Sequence, residues 1–204
     1  MANERVYLYP VWVRLWHAFN LLICLVLITT GVSMQYSNPG YPLIRFDIAV
    51  TLHNVFGVLL TLSYIVFVIG NWKTGNGKYY RAKIKGFLKR LTKQAIYYSI
   101  GIFKNTKKPY PITKKRKFNP LQKLSYIVIM YIFMPIIFIT GWAWLYPETI
   151  IHNFLGFSGL YLTGMLHITA GFVISIFMFV HIYFCTIGTT ASSNFKAMIN
   201  GWHE

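Results

Sequence analysis

The chain alternates long uncharged runs with one dense basic block. Thirty consecutive residues between Arg14 and Arg45 carry no Lys, Arg, Asp or Glu. The same holds for 25 residues between Asp47 and Lys73, 24 between Lys123 and Glu148, and 47 between Glu148 and Lys196. A helix crosses the hydrocarbon of a bilayer in about 20 residues. The pattern predicts four transmembrane helices, near residues 12–33, 48–71, 123–146 and 164–187. Backbone groups in lipid have no water to bond, so these runs must be helices. The first apolar run is too long for a signal peptide, and no small-residue cleavage pattern follows it.

Between the second and third runs the period changes. Ile84, Phe87, Leu88, Leu91 and Ala95 recur at helical spacing, with Lys83, Lys85, Lys89, Arg90 and Lys93 on the other faces. This predicts a basic amphipathic helix lying in the membrane interface within the 72–122 loop. Ala95–Phe103 is apolar but too short to span, and a second short helix is expected over Phe195–Trp202. No internal repeat stands out, so the expectation is one all-α domain over residues 1–204, a four-helix membrane bundle.

Composition agrees. Of 204 residues, 55% are hydrophobic and 12% charged, where a soluble domain carries about 25% charged residues. The four acids are Glu4, Asp47, Glu148 and Glu204, none inside an apolar run. That excludes a water-soluble enzyme and chemistry built on paired carboxylates. Cys24 and Cys185 are too far apart in sequence for a metal or disulfide motif. Sixteen of the 20 basic residues lie between Lys73 and Lys123; Arg5, Arg14 and Lys196 belong to the same side and only Arg45 to the other. The positive-inside rule then puts both termini and the middle loop in the cytoplasm, with loops 34–47 and 147–163 outside. The net charge of +16 fits topology and attraction to anionic lipid. Nothing in it resembles an aromatic-interleaved nucleic-acid site.

Four histidines fall inside the predicted spans: His17, His53, His167 and His181. Ionisable residues in a membrane are costly, so each is a functional candidate. A neutral imidazole is a good iron ligand. His167 and His181 are 14 residues apart, nearly four turns, so they share a helix face about 21 Å apart. His53 begins at the outer level with His167, and His17 at the inner level with His181. Matched depth pairs His17 with His181 and His53 with His167, as two bis-histidine sites stacked across the membrane. Gly31 is 14 residues after His17 and so faces the same way at the outer level, while Gly57 and Gly171 follow His53 and His167 by four; glycine there leaves room for a flat macrocycle, and small-residue helix packing is the other reason for it. Histidines hydrogen-bonded across helices, or a proton relay, are the alternatives to haem ligation. A relay needs polar residues between the levels, and helix 4 offers only Thr169 and Ser175. A single zinc or copper ion is disfavoured, because two of the four rings are four turns apart. His152 and His203 read as surface residues.

The segment Pro10-Val11-Trp12-Val13-Arg14-Leu15-Trp16-His17 resembles the first-helix motif of the dihaem cytochrome b subunits of nickel–iron hydrogenases, formate dehydrogenases and thiosulfate reductases. Lys117-Phe118-Asn119-Pro120-Leu121-Gln122-Lys123 resembles the start of their third helix. Leu166-His167-Ile168, His181-Ile182-Tyr183 and the tail Lys196-Ala197-Met198-Ile199-Asn200-Gly201-Trp202 resemble their last helix and its continuation. The resemblance covers essentially the whole chain. It departs at Leu121, where the formate dehydrogenase branch has a small residue, and at Ala18, where an aromatic residue is common.

This resemblance implies two haem b groups, one near each face, held by the four histidines. It implies a menaquinone or ubiquinone contacted by Asn119 and Gln122 near the inner haem. It also implies an iron–sulfur or multihaem partner subunit on the outer face, and residence in the bacterial cytoplasmic membrane. Asn119 would serve equally as the cap of the third helix, with Pro120 in its first turn. Arg14 stands either as a partner for a haem propionate or as a plain positive-inside anchor. Tyr183 and Trp16 read as interfacial aromatics. The chain has no CxxCH and no cysteine cluster of its own, so the expectation is an electron-transfer subunit. Its tail resembles thiosulfate-reductase-type subunits most, which implies outward electron flow. The competing readings are a haem-free anchor or proton-relay bundle, and an ascorbate-linked cytochrome b561 type.

Overall fold

The computed structural model describes residues 5–38, 40–83 and 85–203. Glu4, Glu204 and Ile84 lie outside them. Four helices are long and apolar enough to cross a membrane: α1 (Val11–Gln35), α2 (Phe46–Thr74), α4 (Pro120–Leu145) and α5 (Gly159–Cys185). Two shorter helices, α3 (Phe87–Ile96) and α6 (Ser193–Asn200), lie in the basic loop and the tail. The all-α, four-span expectation agrees with this, and the differences are at the ends. The last span starts at Gly159, five residues earlier than expected, because Ser158 caps it by accepting from the Tyr161 amide. The outer loop before it is a tight hairpin of β2 (Asn153–Phe154) and β3 (Phe157–Ser158). Its two turn residues, Leu155 and Gly156, both have positive φ, as such short hairpins require. Gly159 must be glycine, since a Cβ there would overlap the Ile151 carbonyl.

The third span contains a proline, Pro135, in mid-helix. Proline has no amide to donate and crowds the carbonyl four residues back. The helix responds with a π-turn over Ile129–Phe133. The Tyr64 hydroxyl donates to the Met130 carbonyl in that turn at 2.8 Å, so α2 supplies a hydrogen bond where the helix is irregular.

The bundle centre is a small apolar layer. Ile23, Leu60, Ile129 and Met134 are buried together, with Leu27, Phe56, Ile137, Val173, Ile174 and Phe177 packed around them. Most other large apolar side chains face outward, as expected for a surface solvated by lipid.

At the basic end the two chain ends meet. β1 (Val6–Tyr7) pairs antiparallel with β4 (Trp202–His203). Gly201 ends α6 with φ +88°, and its carbonyl accepts from the amides of Leu8 and Tyr9. A side chain there would meet the Tyr9 carbonyl at 2.8 Å. The Arg14 guanidinium donates to the Ile199 carbonyl and so ties α6 to α1. Trp16 is not a belt residue. It stacks on Phe67 at 4.5 Å and donates to the Ser63 carbonyl, locking α1 against α2.

In the middle loop, the amphipathic face contains a polar residue. Phe87, Leu91 and Ala95 are half-buried as the spacing predicts, Leu88 is exposed, and Gln94 is the buried residue of α3. A π-turn over Tyr97–Gly101 continues α3, and this segment does not span.

Candidate functional site

The four histidines meet as two pairs. The rings of His17 (α1) and His181 (α5) have centres 6.1 Å apart with planes at 59°. Those of His53 (α2) and His167 (α5) are 6.2 Å apart at 69°. Two imidazoles that share a metal through nitrogen bonds of about 2 Å have ring centres about 6 Å apart. Both pairs have that spacing. The rings are largely shielded from solvent, and each pair has helix backbone on both sides. The apolar layer around Ile23, Leu60 and Met134 belongs to the same three helices and α4, at depths between the two pairs. Among the described residues, no group of three or more His, Cys, Asp or Glu converges on a metal ion.

Support for the rings comes largely from α4, a helix that contributes no histidine. The Thr140 hydroxyl lies 2.9 Å from His167 Nδ1. The Tyr126 hydroxyl lies 3.3 Å from His181 Nδ1. Tyr126 and Thr140 are 14 residues apart, as are His167 and His181, so antiparallel α4 tracks α5 level for level. On the other side of the bundle, Thr30 of α1 lies 2.9 Å from His53 Nδ1. Each threonine precedes a glycine that lies beside the ring. A Cβ at Gly31 would stand 3.4 Å from His53 Cε1, and one at Gly141 would stand 3.2 Å from His167 Cε1. Gly57 faces open space and Gly171 meets only Ile137. Of the three glycines singled out in the sequence, therefore, only Gly31 touches a ring. Thr30, Tyr126, Thr140 and Gly141 escaped the sequence reading. The visible signals were a Thr-Gly pair at the same depth in the first and third spans, and a second 14-residue interval opposite the histidine one.

Asn119 and Gln122 form a capping box at the start of α4. The Asn119 side chain accepts from the Gln122 amide at 3.0 Å, and the Gln122 side-chain oxygen accepts from the Asn119 amide at 3.2 Å. Asn119 Nδ2 also donates to the Tyr98 hydroxyl at 2.7 Å. Burial holds the Tyr98 phenol above its usual pKa, opposed by the amides of Asn119 and Gln94 that bond it. Gln94 is 3% exposed, and its Oε1 has no protein partner among the described residues. The cap thus leaves the Gln122 amide N–H groups and the Gln94 carbonyl to bond a ligand. Arg14 is occupied by the tail, but its buried Nε has no partner among the described residues.

A second polar cluster lies beside this one. Lys117 is 2% exposed, donates to Asn76 Oδ1 at 3.3 Å, and sits over the rings of Tyr9, Tyr79 and Phe118. Asn76 in turn donates to Asn71 at 2.6 Å. Burial lowers the Lys117 ammonium to about 8 and raises the Tyr9 phenol to about 12. His152 is exposed and His203 lies in β4.

Comparison with known proteins supplies a family. YdhU of Escherichia coli (strain K12), named as a candidate cytochrome, is 36% identical over 202 residues, covering 99% of this chain and 76% of its own length. Residues 8–201 match the family described as prokaryotic cytochrome b561. Four membrane-spanning helices, two half-buried imidazole pairs at metal-sharing distance and this match together make the chain a member of the prokaryotic cytochrome b561 family, a multi-pass b-type cytochrome of the bacterial inner membrane.

Proposed function

We propose that the chain holds two b haems, one between His17 and His181 near the basic face and one between His53 and His167 near the opposite face. It would connect a quinone bound by the start of α4 to a redox protein docked outside. The observation that carries this reading is the pair of ring separations, 6.1 and 6.2 Å, at two depths of one bundle. Haem supplies one-electron redox chemistry when bound. The protein's own contribution is to aim two imidazoles at each centre, keep water out, and stack the sites about 21 Å apart along α5. The apolar layer between the levels opposes a proton relay, which would need polar side chains there.

For the quinone, Gln122 Nε2 is the free donor to a carbonyl, and Gln94 Oε1 is a buried acceptor for the hydroxyl of the reduced form. Asn119 holds Tyr98 and the helix start in place around them. The Nε of Arg14 remains for a propionate of the inner haem. On the outer face, Ile151, Phe154, Leu155 and Phe157 of the hairpin are exposed beyond the spans. They suit an iron–sulfur or multihaem partner.

Purified protein reduced with dithionite should show six-coordinate b-haem bands and two haems per chain. A quinol analogue should reduce them, whereas ascorbate should not. Exchange of both Asn119 and Gln122 for alanine should slow quinol reduction and leave dithionite reduction intact. Absence of pigment overturns the haem reading. Unchanged quinol kinetics in the double variant overturns the quinone assignment.

A further inference from the structure

The hydroxyls beside the outer histidines are placed to do more than fill space. A threonine hydroxyl has one proton and two acceptor lone pairs. The Thr30 proton goes to the Val26 carbonyl at 2.7 Å, the usual back-bond of a helical threonine. Thr140 does the same with the Ile136 carbonyl at 2.7 Å. With that proton committed, each oxygen is an acceptor toward its histidine. The nitrogen 2.9 Å away in each case, Nδ1 of His53 and Nδ1 of His167, must then carry the ring hydrogen. Both rings are driven to the same tautomer, with a bare lone pair on Nε2.

We propose that Thr30 and Thr140 are positioning residues for the outer redox centre. They fix His53 and His167 as Nδ1–H imidazoles, so that the two Nε2 atoms are the ligands, and they raise the basicity of both rings. The proposal rests on the two-haem reading and refines it. The arrangement repeats across the bundle: Thr30-Gly31 of α1 serves a histidine of α2, and Thr140-Gly141 of α4 serves a histidine of α5. In each the hydroxyl holds one edge of the ring while the glycine next to it lies beside Cε1, closely at Gly141 and at ordinary contact distance at Gly31.

The inner pair is built differently. His181 Nδ1 faces the Tyr126 hydroxyl at the longer distance of 3.3 Å. Among the described residues no helix carbonyl takes that phenol's proton, so it can donate as well as accept. The two centres therefore differ in the groups that surround their ligands, with a constrained outer pair and, at His181, an inner ring whose neighbour permits either polarity. An acceptor on Nδ1–H favours the more highly charged metal state, because it lets the imidazole push electron density toward the metal. Its removal should move the outer midpoint potential in the positive direction.

The test is a spectroelectrochemical titration of the full-length protein in detergent, with the outer wave assigned by its loss in His53→Ala. Thr30→Val and Thr140→Val replace the hydroxyl by a methyl of the same size. Each should shift the outer wave positive, alter the ferric low-spin EPR signal of that haem, and weaken haem retention there roughly 10- to 100-fold. The inner wave should stay in place. Thr30→Ser and Thr140→Ser should restore the wild-type wave. Selective loss of the outer haem with the inner wave intact also supports the proposal. If a valine variant does not accumulate, Thr30→Ala and Thr140→Ala carry the same prediction without the branched methyl. Valine or alanine variants with an unmoved outer wave and unchanged EPR overturn the proposal alone, as do serine variants that behave like valine. A wild-type chain without haem overturns both this proposal and the reading beneath it.

Discussion

Two equivalent glycines should respond to the same substitution with opposite sign. In a helix, alanine is favoured over glycine by about 1 kcal/mol. At Gly31 the added Cβ would stand 3.4 Å from His53 Cε1, an ordinary contact, so nothing has to move. Gly31→Ala should therefore stabilise the protein by roughly 0.5–1 kcal/mol. At Gly141 the Cβ would stand 3.2 Å from His167 Cε1, tighter than packed atoms normally tolerate. The ring cannot swing aside freely, because the neighbouring Thr140 holds its Nδ1 at 2.9 Å. Overpacking a confined side chain costs about 1–3 kcal/mol. Set against the helix gain, Gly141→Ala should be destabilising by up to about 2 kcal/mol. A chain of this size shifts by about 2–4 °C per kcal/mol, so the two variants should separate by several degrees in a thermal melt in detergent. Only Gly141→Ala should also disturb the absorption of the outer haem. Equal melting points together with an undisturbed outer band in both variants would refute the reasoning, since the ring would then have more freedom than its hydrogen bond allows.

Two further predictions address depth and charge. Because the levels are about 21 Å apart, His53→Ala should abolish one haem wave and His181→Ala the other, each leaving one haem per chain by pyridine haemochrome; loss of both haems from either variant would contradict separate sites. Lys117 should make stability rise with pH. The folded chain gives up this proton near pH 8 and the unfolded chain near 10.5, so the unfolded state binds more protons in that window and stability rises across it, by up to about 3 kcal/mol. Lys117→Met should flatten that slope and raise the melting point at neutral pH, and an unchanged slope would show that the buried amine is not the titrating group.

The spans were legible from charge gaps because hydropathy is a sum over consecutive residues and needs no partner. Their ends were less so. Ser158 moved the start of α5, and Pro135 put a π-turn into α4 that no hydropathy window detects. The depths of His17, His53, His167 and His181 followed from helix rise alone, and the rings so matched lie 6.1 and 6.2 Å apart. Asn119 and Gln122 show the opposite situation. The family resemblance implied ligand contacts while the Asn-Pro start suggested a cap, and the folded chain uses the side-chain oxygens of both residues in the cap. Trp16 looked interfacial because aromatic residues near a span end usually are, but it packs between α1 and α2.

By itself the sequence determined the number of crossings and the level of each histidine along its helix, because length and helical rise are properties of a single segment. Only the tertiary structure decided which atoms surround those rings. Thr30 and Thr140 reach histidines 23 and 27 residues away, and Arg14 reaches a carbonyl 185 residues away. Such contacts depend on how each helix is rotated about its axis and which neighbour it packs against. Rotation and neighbour are set by the shapes of all four helices together, so no single stretch of the chain contains them.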